Sequence, residues 1–222
     1  IRTSSFEPLN LYKSLVGIKN VPTAGMSNVN TNRWTQRLAL WLRSNLFIPD
    51  PRKYWKKYAV KAAIDLIDKE GIEHIITSSP PHSVQNIGLS LQRKRKIKWI
   101  ADLRDLWTGI YYYDLLMHSS WSRSRDERME KRVLKKADHL IAVSPIFLEE
   151  FKSKVPEVAQ KSSVIPNGYD PKDFKSFDHS KEVDFVITYT GTISAQYNTA
   201  PFIHALRNFR NLHKYCFFFN ST

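Results

Sequence analysis

The chain has 222 residues, 42% of them hydrophobic, a composition typical of a folded globular protein. Its apolar runs are much shorter than the roughly 20 residues that a membrane-spanning helix needs, and its single cysteine, Cys216, excludes an intramolecular disulfide. The formal net charge of +13 indicates a polyanionic partner, such as nucleic acid, an anionic membrane surface or a phosphate-bearing substrate.

The first third of the chain predicts an irregular segment and then two basic helices. Residues 1–33 show no periodic apolar pattern and read as a long loop. Because long structureless loops are uncommon inside compact domains, we expect preceding elements of the domain to be absent from this sequence. Tryptophan, leucine and alanine recur at helical spacing and predict helices at about 34–47 and 53–70. Residues 33–61 hold eight Lys or Arg and one acid, which suits either an anionic surface or a solvated helix face.

A repeated pattern of short apolar runs and helical segments follows. The runs are rich in β-branched residues and do not alternate, as is typical of parallel strands covered on both faces; they lie at 74–77, 99–101, 139–143 and 163–165. Helical segments near 83–95, 121–136 and 145–153 separate them. The sequence therefore predicts an α/β protein with a parallel Rossmann-like sheet flanked by helices.

A polar stretch at 171–183 is the best candidate for a linker. After it, an apolar run at 185–190, a helix near 199–213 and a run at 215–219 predict one strand–helix–strand unit. One such unit is too small to bury a sheet by itself. We therefore expect a partial amino-terminal domain at 1–170 and the truncated start of a second Rossmann-like domain at 184–222.

Polar residues follow the first predicted strand, at the edge where open parallel sheets bind ligands. Two prolines stiffen the loop between Ser79 and His82. His82 stands at the start of the next helix, where unpaired backbone N–H groups favour anionic ligands. A structural role for His82 stays open.

The second predicted strand is followed by Asp102, Arg104, Asp105 and Trp107. Carboxylates beside a tryptophan can hold a sugar through hydrogen bonds and an apolar ring face. The alternative is that Arg104 forms a structural ion pair with one of the aspartates. No third ligand follows at a spacing that suits a metal, so we expect no metal at this position.

Gly191 and Thr192 close the run at 185–190, ahead of a helix. A glycine in this place lets the backbone approach a diphosphate. The pattern is short, and the chain contains no dinucleotide-binding fingerprint, P-loop, serine-hydrolase elbow or zinc spacing.

Six phrases occur in a fixed order: IPDPR at 48–52, TSSPPHS at 77–83, WIADLRDLW at 99–107, ADHLIAVS at 137–144, VIPNGYD at 164–170 and YTGT at 189–192. In this order they resemble the bacterial family 4 glycosyltransferases that build surface polysaccharides. The resemblance implies the two-domain GT-B fold, with an acceptor-binding amino-terminal domain and a carboxyl-terminal domain that binds a nucleotide-sugar. It also implies transfer with retention of anomeric configuration, generally without a metal, and with the nucleotide-sugar as co-substrate rather than cofactor.

The resemblance also implies roles for individual residues. His82 matches the acceptor-side loop that faces the donor sugar, and Asp102 and Asp105 match the next loop lining the cleft, so these three are the catalytic candidates. Ser79, Arg104 and Trp107 are the substrate-binding candidates, and Gly191 with Thr192 is expected near the donor diphosphate. The family's first glycine-rich loop and its later donor motifs are missing, so we expect the present chain alone to be inactive.

Two other interpretations stay open: a non-catalytic membrane-docking or scaffold protein with the same fold, and a basic nucleic-acid-binding protein. A nucleic-acid-binding protein should show a recognition helix, an aromatic-basic strand motif or zinc spacing, and the sequence contains none of these. For the enzyme we expect a cytoplasmic location, with peripheral attachment at the inner face of the membrane as an option. Its expected partners are the donor, a glycan or lipid-linked acceptor and an anionic membrane surface, but not nucleic acid.

Overall fold

The computed structural model describes Thr3 and residues 34–173, 187, 189–190 and 198–213. The chain divides into two compact units. Thr3 and residues 34–173 belong to the first, and the described residues from 187 onward belong to the second.

The first unit is built on a four-stranded parallel sheet. Its strands lie in chain order: β1 (His74–Ser79), β2 (Lys98–Leu103), β3 (His139–Ala142) and β4 (Ser162–Val164). The register places Ser79 beside Leu103 and Leu103 beside Ala142, so the loops that follow these strands leave from one edge. The parallel α/β sheet predicted from the sequence is confirmed.

The described residues of this unit also form five α-helices: α1 (Trp34–Leu46), α2 (Lys56–Glu70), α3 (Ser83–Lys94), α4 (Ser120–Lys136) and α5 (Pro145–Lys154). Short 3-10 helices lie at Pro51–Trp55, Tyr113–Leu115, Pro156–Gln160 and Pro171–Asp173. Local signals fix several ends. The hydroxyls of Ser119 and Ser144 cap α4 and α5, and α2 ends at Gly71, whose φ of 63° is left-handed.

The main hydrophobic core lies on one face of the sheet. Trp99, Ala101 and Leu103 alternate along β2 and pack with Leu89 of α3, Val133 and Leu134 of α4 and Phe151 of α5. A second cluster joins α2 to α3 through Ala59, Val60, Ile67, Ile87, Leu91 and Ile97. Helix α3 lies so close to the sheet that a Cβ on Gly88 would stand 2.2 Å from the indole nitrogen of Trp99.

The opposite face of the sheet is open within the described residues. Burial alternates along β1 and β2, and Ile76, in the middle of β1, is 65% exposed. The non-alternating apolar sequence had indicated strands covered on both faces. In the described structure α3, α4 and α5 share one core on a single face, so the side chains that point the other way keep contact with solvent.

Of the second unit the structure describes α6 (Ala200–His213), which confirms the helix predicted near 199–213. The strands predicted at 185–190 and 215–219, and the linker at 171–183, fall mostly outside the described residues and stay predictions. Over the ranges that the structure covers, no helix is long and apolar enough to cross a membrane.

Candidate active site

The candidate site lies where the chain leaves β1 and β2. Ser78 and Asp102 are neighbours across the two strands, and the Ser78 hydroxyl donates to Asp102 Oδ2 at 2.7 Å. The two loops singled out by the sequence, at 80–82 and from residue 104 onward, therefore start next to each other.

A buried glutamine fixes the ends of these strands. Gln85, in the first turn of α3, is fully buried, and its amide nitrogen donates to Ser79 Oγ at 2.8 Å and to the Asp102 carbonyl at 2.9 Å. Its oxygen accepts from Thr77 Oγ1 at 2.6 Å, and Thr77 in turn accepts from the indole of Trp99. Ser79 is only 1% exposed, so the structure places this substrate-binding candidate underneath the loop, as a support.

Asp50 holds the start of α3 from outside the helix. Its carboxylate accepts from the backbone N–H of Ser83 at 2.7 Å and from the Ser83 hydroxyl at 2.9 Å. It also accepts from the Arg52 N–H at 2.9 Å and so caps the 3-10 helix at Pro51–Trp55. Burial raises the pKa of Asp50, although these hydrogen bonds oppose the shift. The sequence predicted no role for Asp50, because its partner is 33 residues away.

His82 directly precedes α3 and is held by an aromatic stack. Its ring lies on Trp107, with centroids 4.7 Å apart and an interplanar angle of 9°. Desolvation lowers the pKa of His82 to about 4, although a hydrogen bond to the backbone of Leu106 opposes the shift. The ring is therefore neutral at pH 7 and carries one donor and one acceptor nitrogen. Among the described residues, its buried Nδ1 has no hydrogen-bond partner.

Trp107 forms the buried side of the stack with His82. The indole is 3% exposed and donates from Nε1 to Asp126 Oδ1 at 2.8 Å, and the Tyr113 hydroxyl donates to the second oxygen of Asp126. This burial leaves Trp107 no open ring face for the sugar contact expected from the sequence. Its place in the structure is that of a platform for the imidazole of His82.

A second buried carboxylate anchors the same loop. Glu130 is 1% exposed, accepts from the Thr108 hydroxyl, and pairs with Lys154 Nζ at 3.0 Å. Asp126 and Glu130 share one face of α4 with the buried Ser122, at spacings of four residues. In the sequence, the buried roles of Asp126 and Glu130 are marked only by this spacing of polar residues. An exposed helix face would show the same spacing, so the sequence could not identify them.

Arg104 links the loop after β2 to the loop after β4. Its guanidinium lies 3.5 Å from Asp102 Oδ1 and 3.3 Å from the Ile165 carbonyl, and it donates to Asn167 Oδ1. The ion pair that the sequence left as an alternative for Arg104 is therefore present, with Asp102 as the partner. Asp102 itself keeps 15% of its side chain exposed.

Asp105 lies on the same loop and is partly buried. Burial, and then the charge of Asp105, raise the pKa of Tyr112. The structure thus brings His82, Asp102, Arg104 and Asp105 to one edge of the sheet. The expected donor-side residues, Gly191 and Thr192, lie outside the described residues. In the part of the chain that the structure describes, no group of three or more His, Cys, Asp or Glu is placed to hold a metal ion.

Comparison with known proteins identifies the family. Residues 28–173, more than half of the chain, match the model of Glycosyltransferase Family 4. This protein belongs to glycosyltransferase family 4. No curated protein and no solved structure gives a significant match to the chain.

The family match spans the four described strands of this glycosyltransferase and both loops of the candidate site. Membership shows that the protein is a glycosyltransferase, which acts on a sugar donor and an acceptor. The α/β architecture of the matched region agrees with the Rossmann-like fold predicted from the sequence.

The support beneath the site predicts a pH dependence of stability. Burial raises the pKa of Asp126 to about 6, although Trp107 and Tyr113 donate to it. The folded protein therefore holds this proton more tightly than the unfolded chain, where an aspartate titrates near pH ~4. It follows that the contribution of Asp126 to the free energy of unfolding decreases as the pH rises from about 4 to about 6.

The Asp126→Asn variant cannot titrate and isolates this contribution. We expect the unfolding free energy of the wild type minus that of the variant to decrease between pH 4 and 6 and to level off above it. Urea unfolding at closely spaced pH values measures the difference. A difference that stays constant from pH 4 to 7 would show that Asp126 is not buried as described.

Proposed function

We propose that this glycosyltransferase is a retaining GT-B enzyme that moves a sugar from a nucleotide-sugar to a glycan or lipid-linked acceptor in surface polysaccharide synthesis. In this proposal the first unit supplies the acceptor side of the reaction. The observation that carries it is His82, a neutral imidazole stacked on Trp107 at the ligand-binding edge of the sheet, with Nδ1 unpartnered among the described residues.

His82 suits a hydrogen-bonding role in sugar transfer. A neutral imidazole can bond a sugar hydroxyl without bringing a charge into the site. The Trp107 stack and the capping of α3 by Asp50 hold the ring in one orientation, which is the main requirement when catalysis depends on positioning. In the proposed mechanism the leaving diphosphate accepts the proton of the acceptor hydroxyl, and His82 orients the reacting sugar.

Asp102 and Asp105 are proposed to bind hydroxyl groups at the same edge. Asp102 is oriented by Ser78 and Arg104, and its exposed oxygen surface can accept hydrogen bonds from a sugar. Arg104 carries positive charge next to this carboxylate and reaches across to Asn167. For the donor side we propose that the backbone at Gly191 and Thr192 approaches the diphosphate, as the resemblance implies.

We also propose that the enzyme attaches to the anionic face of the membrane, where a lipid-linked acceptor would be. Trp34, Leu38 and Trp41 lie on one side of α1 and are 75%, 48% and 43% exposed. Exposed aromatic residues on a basic helix suit the headgroup region of a bilayer. Trp55 does not join them, because it packs against the α2–α3 cluster and donates from its indole to Thr3 Oγ1.

The test is a transfer assay on the full-length protein with a panel of nucleotide-sugars and lipid-linked or free glycan acceptors. We expect release of nucleoside diphosphate that depends on both substrates, and a product with the anomeric configuration of the donor. A product with the opposite configuration would contradict a retaining mechanism. A folded protein that binds acceptor lipid but releases no nucleoside diphosphate with any donor would instead be a non-catalytic docking protein.

A further inference from the structure

A groove of about 660 Å³ runs between α2 and α3. Ser90 and Lys94, which line its far end, lie roughly 10 and 17 Å along α3 from Ser83. Lys53, at the other end, is close enough to Asp50 to interact with its charge. The apolar lining comes from Tyr54, Val60 and Ile64. Nothing in the proposed reaction uses this groove.

The groove is strongly basic. Five lysines line it, namely Lys53, Lys56, Lys57, Lys61 and Lys94, together with a single acid, Asp65. None of the five takes part in the ion pairs found among the described residues. Lys53 donates to the Leu46 carbonyl, and Lys57 stands over the Tyr58 ring at 4.7 Å. Most of this positive charge is therefore uncompensated within the described structure.

This concentration of charge opposes folding. Lys56 and Lys57 occupy the first turn of α2, which has no acidic residue, and cations are unfavourable at the start of a helix. Burial and the nearby charge of Arg93 lower the pKa of Lys56, and burial and Arg125 lower the pKa of Lys53. A multivalent anion in the groove would relieve this repulsion.

We propose that the groove between α2 and α3 binds the phosphomonoester headgroup of an anionic lipid, with the lysines around the phosphate and the apolar lining against the glycerol and upper acyl chain. The inference rests on the membrane attachment proposed above and names its specific contact. Several ammonium groups in one groove interact most strongly with an anion that carries two negative charges on a single phosphate. A doubly charged phosphomonoester such as that of phosphatidic acid therefore binds better than the singly charged phosphodiester of phosphatidylglycerol.

The position of the groove supports a lipid rather than a free phosphate compound. Lys53 lies over the rings of both Phe47 and Tyr54, so one end of the groove adjoins the residue that follows α1. The exposed face of α1 carries Trp34 and Trp41. In this proposal the tryptophans insert at headgroup level while the lysines contact the lipid phosphates.

Vesicle co-sedimentation tests the proposal with the full-length protein. Vesicles containing phosphatidic acid and vesicles containing phosphatidylglycerol are compared at equal surface potential. We expect tighter binding to phosphatidic acid. The double variant Lys57→Ala/Lys61→Ala should lose roughly 30-fold in affinity for phosphatidic acid vesicles, since each lysine near an anionic surface contributes about fivefold.

The matched control is Lys131→Ala/Lys135→Ala, which removes two exposed lysines at the same spacing from α4. This control should bind both kinds of vesicle nearly as well as the wild type. If the groove variant loses equal affinity for both kinds of vesicle, the groove is not a specific lipid site and only diffuse electrostatic attachment to the membrane stands. Absence of any anionic vesicle binding would overturn both proposals. Full competition by glycerol 3-phosphate would identify a soluble phosphate compound as the occupant and also overturn the lipid assignment.

Discussion

Replacing His82 by alanine should lower the rate of sugar transfer by about 10²–10³-fold and leave the folded structure intact. The imidazole of His82 is stacked on Trp107 at the ligand-binding edge of the sheet, and its Nδ1 has no hydrogen-bond partner among the described residues. Losing a single preorganised contact of this kind typically has an effect of this size. The rate should be measured at saturating donor and acceptor, with circular dichroism to verify the fold.

His74 provides the matched control for this variant. It is an exposed histidine at the start of β1, at the opposite end of the strand from the candidate site. His74→Ala should transfer sugar at close to the wild-type rate. If His82→Ala loses less than about threefold, the imidazole is structural and its stack on Trp107 serves only packing.

Replacing Lys154 by methionine should lower the free energy of unfolding by about 3 kcal/mol or more. Methionine keeps most of the aliphatic length of the side chain but removes the cation that pairs with Glu130. Glu130 is 1% exposed, so its carboxylate would be left buried without a compensating charge. Because Glu130 also accepts from Thr108, the loop that carries Trp107 should loosen as well.

Lys152→Met is the control from the same helix. Lys152 pairs with Glu149 at 2.8 Å, but the Glu149 side chain is 71% exposed, and exposed ion pairs contribute less than about 1 kcal/mol. Urea unfolding compares the two variants directly. Equal small losses would show that the ion pair between Lys154 and Glu130 is solvated. A second test is Glu130→Gln combined with Lys154→Met, which should recover part of the loss because no buried charge remains.

The described elements of this glycosyltransferase could be predicted closely because their signals are local. Helical spacing, short β-branched runs and serine caps such as Ser144 depend only on neighbours along the chain. The parallel order of the strands followed from the intervening helices, since parallel strands need long crossovers. The edge carrying His82 and Asp102 was predictable for the same reason, because loops after parallel strands leave together.

What only the tertiary structure decided is how each polar residue is partnered. Trp107 and Ser79 looked like ligand contacts, yet both are buried and hold other residues of the site in place. Asp50, Gln85, Asp126 and Glu130 act on chain segments far away in sequence, with partners 8 to 33 residues distant. Sequence fixes which residues lie at an edge, because strand direction and loop order are local properties of the chain. Whether a carboxylate or indole at that edge faces a ligand or a buried partner depends on distant packing, and no local pattern records it.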